Sequence, residues 1–409
     1  MSCAFCNSKN FEILVDFGPM ALAGGFLKEE SIKEEKLFQM TLIFCNQCFM
    51  VQILEKIDPD EMFSEYFYFS SAIGTLSEHF SNYAKDIKNK FNLDEHSSVL
   101  EFGCNDGVLL KPLSELKLGK VIGVDPASNV IKTINEDNIT LYANYFNEDT
   151  ADIIIAEHGT MDVVMANNVY AHIVDIQSTT RGIKKILSKN GVFVFEVHYV
   201  GNVIKDKQYD MIYHEHIYYY SLLSAIEHFK SYEMKIFDIK HVPIHGGSLR
   251  FYVSHAECNQ YEKSLDVANL ERQEISLGYR DKDTYQTFSQ SIYKLKEDLR
   301  KLLIELKSSG KKIYGYGASG RANTVLQFCD IDKELIDGVI DDAPAKQGLI
   351  TPGSHLRICS SDILRSDDKP DFILLFAWTF EEEIRRRNPD FFQQGGKIIL
   401  PLPEVKVIG

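Results

Sequence analysis

Residues 97–110 read SSVLEFGCNDGVLL, an apolar run that breaks at Gly103 and Gly107 and then becomes apolar again. A short aliphatic run closed by glycine reads as a strand entering a tight turn. Glycine at such a turn lets the backbone approach a ligand where a Cβ would clash. Glu101 stands at the strand end, and 24 residues further on Asp125 closes the next apolar run, VIGVD. In an open parallel sheet, ligands bind outside the carboxyl ends of the strands. An acid at the second strand end there can accept hydrogen bonds from both hydroxyls of a ribose.

The same rhythm continues outward from this loop. Short apolar runs at 99–102, 121–124, 163–166 and 192–197 alternate with helix-length segments, and 235–242 and 249–254 read as two more strands joined through HVPIHGGS. Such alternation predicts a parallel sheet covered on both faces. Residues 269–309 predict one long helical connector, with Ile292, Leu295, Leu299, Leu302, Leu303 and Leu306 on one apolar face. A second α/β unit follows, its strands in KKIYGYG, GVIDD, DFILLFAW and GKIILPLP.

The amino-terminal end has a different character. Cys3 and Cys6 form one C-x-x-C and Cys45 and Cys48 a second, 38 residues apart. Two such knuckles complete the tetrahedral thiolate shell of Zn²⁺ and leave no position open for water or substrate, so the ion is structural. A redox pair or disulfides are the competing readings of these spacings. The fold class is therefore α/β in three parts: a small zinc-binding module over 1–70, a doubly wound sheet over 71–256, and a second, Rossmann-like unit over 257–409.

Bulk properties agree with that plan. At 409 residues the chain suits two or three domains, and 44% hydrophobic content supplies real cores. The start, MSCAFCNSKNFEILVDF, lacks the basic and apolar regions of a secretory signal, and no apolar run approaches the ~18 residues of a spanning helix. Eight cysteines without such a signal suit a reducing cytoplasm, with Cys104, Cys258, Cys329 and Cys359 as packed thiols. A net charge of −15 argues against general nucleic-acid binding and against an anionic membrane surface.

The first loop is E-x-G-C-N-D-G, which suits a dinucleotide pyrophosphate poorly. It resembles motif I of the class I S-adenosylmethionine-dependent methyltransferases, and MDVVMANNVYAHI resembles that family's fourth-strand motif. The resemblance implies a cofactor site of Glu101, Gly103, Asn105, Gly107, Asp125, Asn144, Asn167 and Asn168. Gly103 and its neighbouring backbone would face the methionine part, Asp125 the ribose, and Asn144 in LYANYF the adenine.

Beyond the strand GVFVFEV comes YDMIYHEHIYYYS, residues 209–221, which gathers Tyr213, His214, Glu215 and His216. H-E-H lacks the H-E-x-x-H spacing of metalloproteases. A histidine near neutral pKa can remove a proton, a carboxylate can orient it, and a tyrosine can donate to an oxyanion. Aromatic packing of a loop is the plainer reading. With Tyr66 and Tyr68 in EYFYFSS, His172 in NVYAHI, the turn HGGSLR at 245–250, the cysteine knuckles, YGYGASGRA, DDAPAKQG and TPGSH, essentially the whole chain resembles the nucleotide-sugar C-methyltransferases that make branched deoxysugars. That resemblance implies methylation at carbon 3 of a nucleoside-diphosphate-linked 4-keto-deoxysugar through an enolate. It implies His216 as base, Tyr213 and Glu215 as orienting or stabilising groups, and Tyr68 or Tyr66 with His172 lining the acceptor pocket.

Gly315, Gly317 and Gly320 form a true G-x-G-x-x-G, and Asp341 and Asp342 end the next strand, 21 and 22 residues after Gly320. By spacing alone this is a dinucleotide fingerprint and predicts an NAD-dependent oxidoreductase. A helix amino terminus attracts any phosphate, however. The resemblance implies that Gly315, Gly317, Ser319, Gly320 and Arg321, with His245, help hold the diphosphate of the sugar nucleotide. A purely architectural unit, an O- or N-methyltransferase on a similar sugar, and a non-catalytic zinc- and nucleotide-binding protein are the rival readings.

Overall fold

The computed structural model describes residues 1–63, 74–244 and 246–409, so Tyr66, Tyr68 and His245 lie outside the described residues. Seven strands form the central sheet, in the order Met234–Val242, Ser248–His255, Leu187–His198, Met161–Asn167, Ser98–Phe102, Lys120–Val124, Ile139–Tyr142. Ser98–Phe102 pairs in parallel with Lys120–Val124 on one side and Met161–Asn167 on the other. Ser248–His255 runs antiparallel between both its neighbours. The order changes direction at Ser98–Phe102, which opens a crevice between the loops after that strand and after Met161–Asn167.

All five residues of Ser98–Phe102 are buried, because helices cover both faces. Val99 packs with Phe80, Tyr83 and Leu113 on one side. Leu100 and Phe102 pack with Ile154, Ile183 and Phe193 on the other. That alternation is the period of two expected of strand side chains.

The second sheet has the order Ile358–Cys359, Gly338–Ile340, Ile313–Tyr316, Phe372–Leu375, Lys397–Leu400, Lys406–Ile408, and only its last pair is antiparallel. The predicted single connector is two helices, Leu265–Ser276 and Lys282–Ser308. The chain breaks at Gly278, whose φ of +73° cannot continue a right-handed helix. Ile292, Leu295, Leu299 and Leu303 of the longer helix are buried between Leu14, Val15 and Phe44 of the amino-terminal module and Ile313, Val325 and Phe328 of the second unit.

The amino-terminal sheet pairs Phe11–Ala21, Leu37–Cys45 and Val51–Ile53, and its fourth strand, Tyr218–Tyr219, comes from much later in the chain, after Leu187–His198 of the central sheet. The histidine-rich segment thus ends by joining the cysteine module. Among the described residues no helix is long and apolar enough to cross a membrane.

Candidate active site

The two knuckles have matching backbones. Asn7 N–H bonds to Cys3 O at 3.0 Å and Phe49 N–H to Cys45 O at 2.9 Å, and both Asn7 and Phe49 adopt positive φ. These turns bring the four Sγ atoms within 4.8 Å of one another. Gln52, buried beside them, donates to Cys3 Sγ at 3.0 Å and accepts from Ala4 N–H at 2.9 Å, the kind of outer-shell contact that orients a ligating thiolate. Thiol hydrogen bonds from Cys3 and Cys48 hold Cys45 down to about 2. Burial pushes Cys6 up to about 12, and the hydrogen bond with Cys3 raises Cys48. Burial and neighbouring thiols thus oppose ionising Cys6 and Cys48, a cost that a bound dication would offset. Four cysteines in this arrangement close a tetrahedral shell and fit structural zinc.

The first glycine loop is built around Gly103. Its φ is +66°, and a Cβ there would lie 2.5 Å from Val169 Cγ2. Asp125 braces the loop: Oδ2 accepts from Asn105 N–H at 2.8 Å and Oδ1 from Ala127 N–H at 2.9 Å. Burial nevertheless raises the Asp125 pKa. Glu101, 3% exposed, accepts from Asn167 Nδ2 at 3.1 Å through Oε1. Its Oε2 and the Asn167 Oδ1 are buried with no hydrogen-bond partner among the described residues. Burial pushes Glu101 up to about 8, and Asp125, Asp106 and Glu196 raise it further against the hydrogen bond from Asn167. Buried acceptors of this kind suit a cationic or hydrogen-bonding partner. S-adenosylmethionine carries a sulfonium and an ammonium, and the residues fit it.

Gly107 stays in the turn after Asn105, also at positive φ. Asn168, at φ +55°, bonds through its N–H to Glu196 O at 2.9 Å. Asn144 is exposed, two residues past the outermost strand Ile139–Tyr142. Sequence reading passed over Glu196, which was only a residue inside FEV. It is fully buried, accepts from Arg250 Nε at 2.5 Å and lies 3.1 Å from His79 Nε2. The Arg250 guanidinium in turn lies 3.4 Å from the centre of the Tyr83 ring.

In the histidine-rich segment, His216 Nδ1 lies 2.8 Å from Met211 O. A carbonyl only accepts, so Nδ1 carries the hydrogen and Nε2 is the basic nitrogen. Tyr213 Oη lies 2.9 Å from that Nε2. The His172 ring meets His216 edge-on, with centroids 4.9 Å apart. Glu215 is half-buried and pushed up to about 7 by burial. His214 instead turns away, burying itself against Phe38 O at 3.2 Å, and desolvation lowers its pKa. Tyr213, Glu215, His216 and His172 are gathered here; His214 belongs to the packing of the amino-terminal module.

The second glycine loop abuts this group. A Cβ on Gly320 would sit 3.4 Å from Tyr213 Cζ and from Ala23 Cβ, and one on Gly24 would sit 3.8 Å from Glu215 Oε1. The turn at 22–25, whose ALAGG gave no signal in the sequence, therefore enters the same space. Ser319 caps the helix Gly320–Phe328. Gly315 lies within Ile313–Tyr316, against Phe376, and Gly317 turns beside Ala377. Asp341 accepts from Ala318 N–H and Ala343 N–H, each at 2.8 Å, the pattern that Asp125 has in the first loop. Here Lys346 Nζ stands 3.3 Å from that carboxylate. Asp342 is occupied by Tyr316 Oη at 2.9 Å. Arg321 is ion-paired with Asp210, its Nε donating at 2.7 Å.

A closed four-cysteine module, an acid-lined glycine loop at a sheet switch point and unsatisfied acceptors for a cation define a class I S-adenosylmethionine-dependent methyltransferase with a structural zinc site. Three family profiles match: "Putative zinc binding domain" over residues 3–63, "Methyltransferase domain" over 76–236 and "C-methyltransferase C-terminal domain" over 243–403. The chain is 30% identical over 407 residues to C-methyltransferase NovU of Streptomyces niveus, covering 99% of this chain and 96% of that protein. A ubiquinone biosynthesis O-methyltransferase of Bradyrhizobium diazoefficiens is 34% identical over 98 residues, 24% of this chain and 38% of that protein. The crystal structure of magnesium protoporphyrin IX methyltransferase from Synechocystis PCC 6803 with bound SAH superposes with a TM-score of 0.35 at 13% identity, covering 44% of this chain and 83% of that one. The chain belongs to the C-methyltransferase family of NovU.

Proposed function

We propose that the enzyme methylates carbon 3 of a nucleoside-diphosphate-linked 4-keto-deoxysugar in branched-sugar biosynthesis, in the cytoplasm and with neither nucleic acid nor membrane as partner. One observation carries the reading: His216, its tautomer set by Met211 O, presents a basic Nε2 beside Tyr213, within a group that also includes His172 and the second glycine loop. The domain organisation belongs to the same proposal: zinc module 1–70, methyltransferase domain 71–256, carboxyl-terminal domain 257–409.

A proton beside a ketone is acidic enough for a positioned imidazole. His216 Nε2 takes the proton from carbon 3, and the C–H electron pair moves into the enolate. The hydroxyl of Tyr213 and the His172 ring stabilise the developing oxyanion, which is commonly the largest single catalytic term. Glu215, near neutral pKa, holds or releases a proton beside them.

S-adenosylmethionine, when bound, supplies an electrophilic methyl group. Glu101 and Asn167 would accept from its cationic end, Gly103, Asn105 and Gly107 would give it backbone room, Asp125 would take the ribose and Asn144 the adenine edge, with Asn168 shaping the strand end. Gly315, Gly317, Ser319, Gly320 and Arg321, with His245, hold the diphosphate of the acceptor, the helix Gly320–Phe328 offering its amino-terminal N–H groups. Solvent deuterium exchange tests the chemistry. The proton at carbon 3 of a 4-keto sugar nucleotide should wash out with wild-type enzyme and not with His216→Gln. Methyl transfer without any exchange-competent carbon would instead indicate O- or N-methylation.

A further inference from the structure

Residues 209–213, which lead into the reaction segment, are held at almost every position by the second α/β unit. Tyr209 Oη lies 3.4 Å from Cys329 Sγ, and Ile212 O accepts from Thr324 Oγ1 at 2.9 Å. The Tyr213 ring rests on Gly320. Between them is Asp210, 1% exposed, whose Oδ2 accepts from Arg321 Nε at 2.7 Å and from Trp378 Nε1 at 3.1 Å. The Arg321 guanidinium also lies 5.2 Å from the centre of the Trp378 ring. Asp210 is thus a buried carboxylate of the first α/β unit whose side-chain partners among the described residues, Arg321 and Trp378, both come from the second. Its partner Arg321 opens the helix that starts at the second glycine loop.

Met211, the next residue, supplies the carbonyl that fixes the tautomer of His216, and it also accepts from Tyr219 Oη at 3.3 Å. Asp210 and Met211 belong to a single 3₁₀ turn, Tyr209–Met211, so a displacement of one carboxylate moves that carbonyl. The geometry points to Asp210 as a positioning residue. Through Arg321 it ties the second glycine loop to the base, so that the carboxyl-terminal unit sets the orientation and tautomer of His216. A buried ion pair adds little net stability but is strongly missed when one partner is removed, as suits a contact kept for placement. The inference rests on His216 being the base, and a misplacement of about 1 Å at such a group can cost about a hundredfold in rate.

The test uses the full chain labelled with ¹⁵N-histidine, the His216 signals being assigned by His216→Gln. Wild type should show the Nδ1–H tautomer. Asp210→Asn and Arg321→Gln should show mixed tautomers and a kcat on a nucleoside-diphosphate 4-keto-6-deoxysugar lower by about tenfold or more, with the Kd of S-adenosylmethionine within about twofold. Arg321→Lys, which keeps the charge and loses the fork, should fall between. If Asp210→Asn fails to fold, Trp378→Phe removes only the indole donor and should shift the tautomer in the same direction. A wild-type tautomer and wild-type kcat in the folded variants overturn the proposal. A His216→Gln enzyme that still turns over would overturn the base reading instead, while the nitrogen spectra still decide the link between Asp210 and the ring.

Discussion

Met211 O accepts the Nδ1–H of His216 at 2.8 Å, and this single backbone contact decides which nitrogen of the ring can act as a base. The opposite nitrogen lies 2.9 Å from Tyr213 Oη. Tyr213→Phe keeps the ring against Gly320 and removes only the hydroxyl. Its kcat should fall by about a hundredfold or more, the lower end of the range for a general acid–base group, with cofactor affinity unchanged by calorimetry. An unchanged kcat would place the hydroxyl outside the reaction.

Glu101 gives a pH signature. Its pKa in the cofactor-free protein is about 8, against about 4.3 for an unfolded glutamate. The folded state therefore binds the extra proton between these values. The stability it contributes is complete below about 4.3 and is lost as pH rises through about 8. The Tm of the cofactor-free enzyme should decline over that window, and Glu101→Gln should flatten the decline. A cationic ligand favours the carboxylate, so S-adenosylmethionine should bind more tightly as pH rises from 6 to 8 and release a proton on binding. Calorimetry in buffers of different ionisation enthalpy reads this directly, and pH-independent affinity would contradict it.

Gly103→Ala meets two penalties, a positive φ and a Cβ 2.5 Å from Val169. The strained backbone alone costs about 1 kcal/mol. The variant should lose stability in thermal unfolding and bind S-adenosylmethionine at least about tenfold more weakly, since the loop must move. Wild-type affinity would show that the loop does not approach the cofactor.

The cysteine module touches the histidine-rich segment directly. Its strand Val51–Ile53 pairs with Tyr218–Tyr219, two residues after His216. Chelation, or Cys45→Ser, should therefore abolish turnover while the Kd of S-adenosylmethionine changes by less than about threefold, because metal binding and folding of such a module are one process. Metal content by atomic emission alongside the two assays checks this. Equal loss of both would mean that the whole chain unfolds.

Local signals were the legible ones. The runs at 99–102 and 121–124 became strands because period, length and glycine all agreed, and the two C-x-x-C knuckles closed because each is a contiguous turn. Ile139–Tyr142, Ile358–Cys359 and Lys406–Ile408 passed unread, being too short for periodicity. The break at Gly278 was masked by the strong periodicity that follows it. Non-local partnerships left no mark. Glu274 receives Leu222 N–H and Leu223 N–H at 2.8 Å across some fifty positions, and only the fold brings it there. The same holds for Glu196 with Arg250 and for Asp210 with Arg321. The rivals for the second glycine loop stayed open because helix amino termini serve many phosphates, and neither spacing nor backbone names the owner.

The most direct measurement of the central claim uses S-adenosylmethionine labelled with ¹³C in its methyl group. The enzyme is incubated with a panel of nucleoside-diphosphate 4-keto-deoxysugars, and the products are read by carbon–proton correlation spectra. The account predicts a labelled methyl bonded to carbon 3 with wild-type enzyme and none with His216→Gln. A label on oxygen or nitrogen, or equal yield from the His216→Gln enzyme, would contradict it.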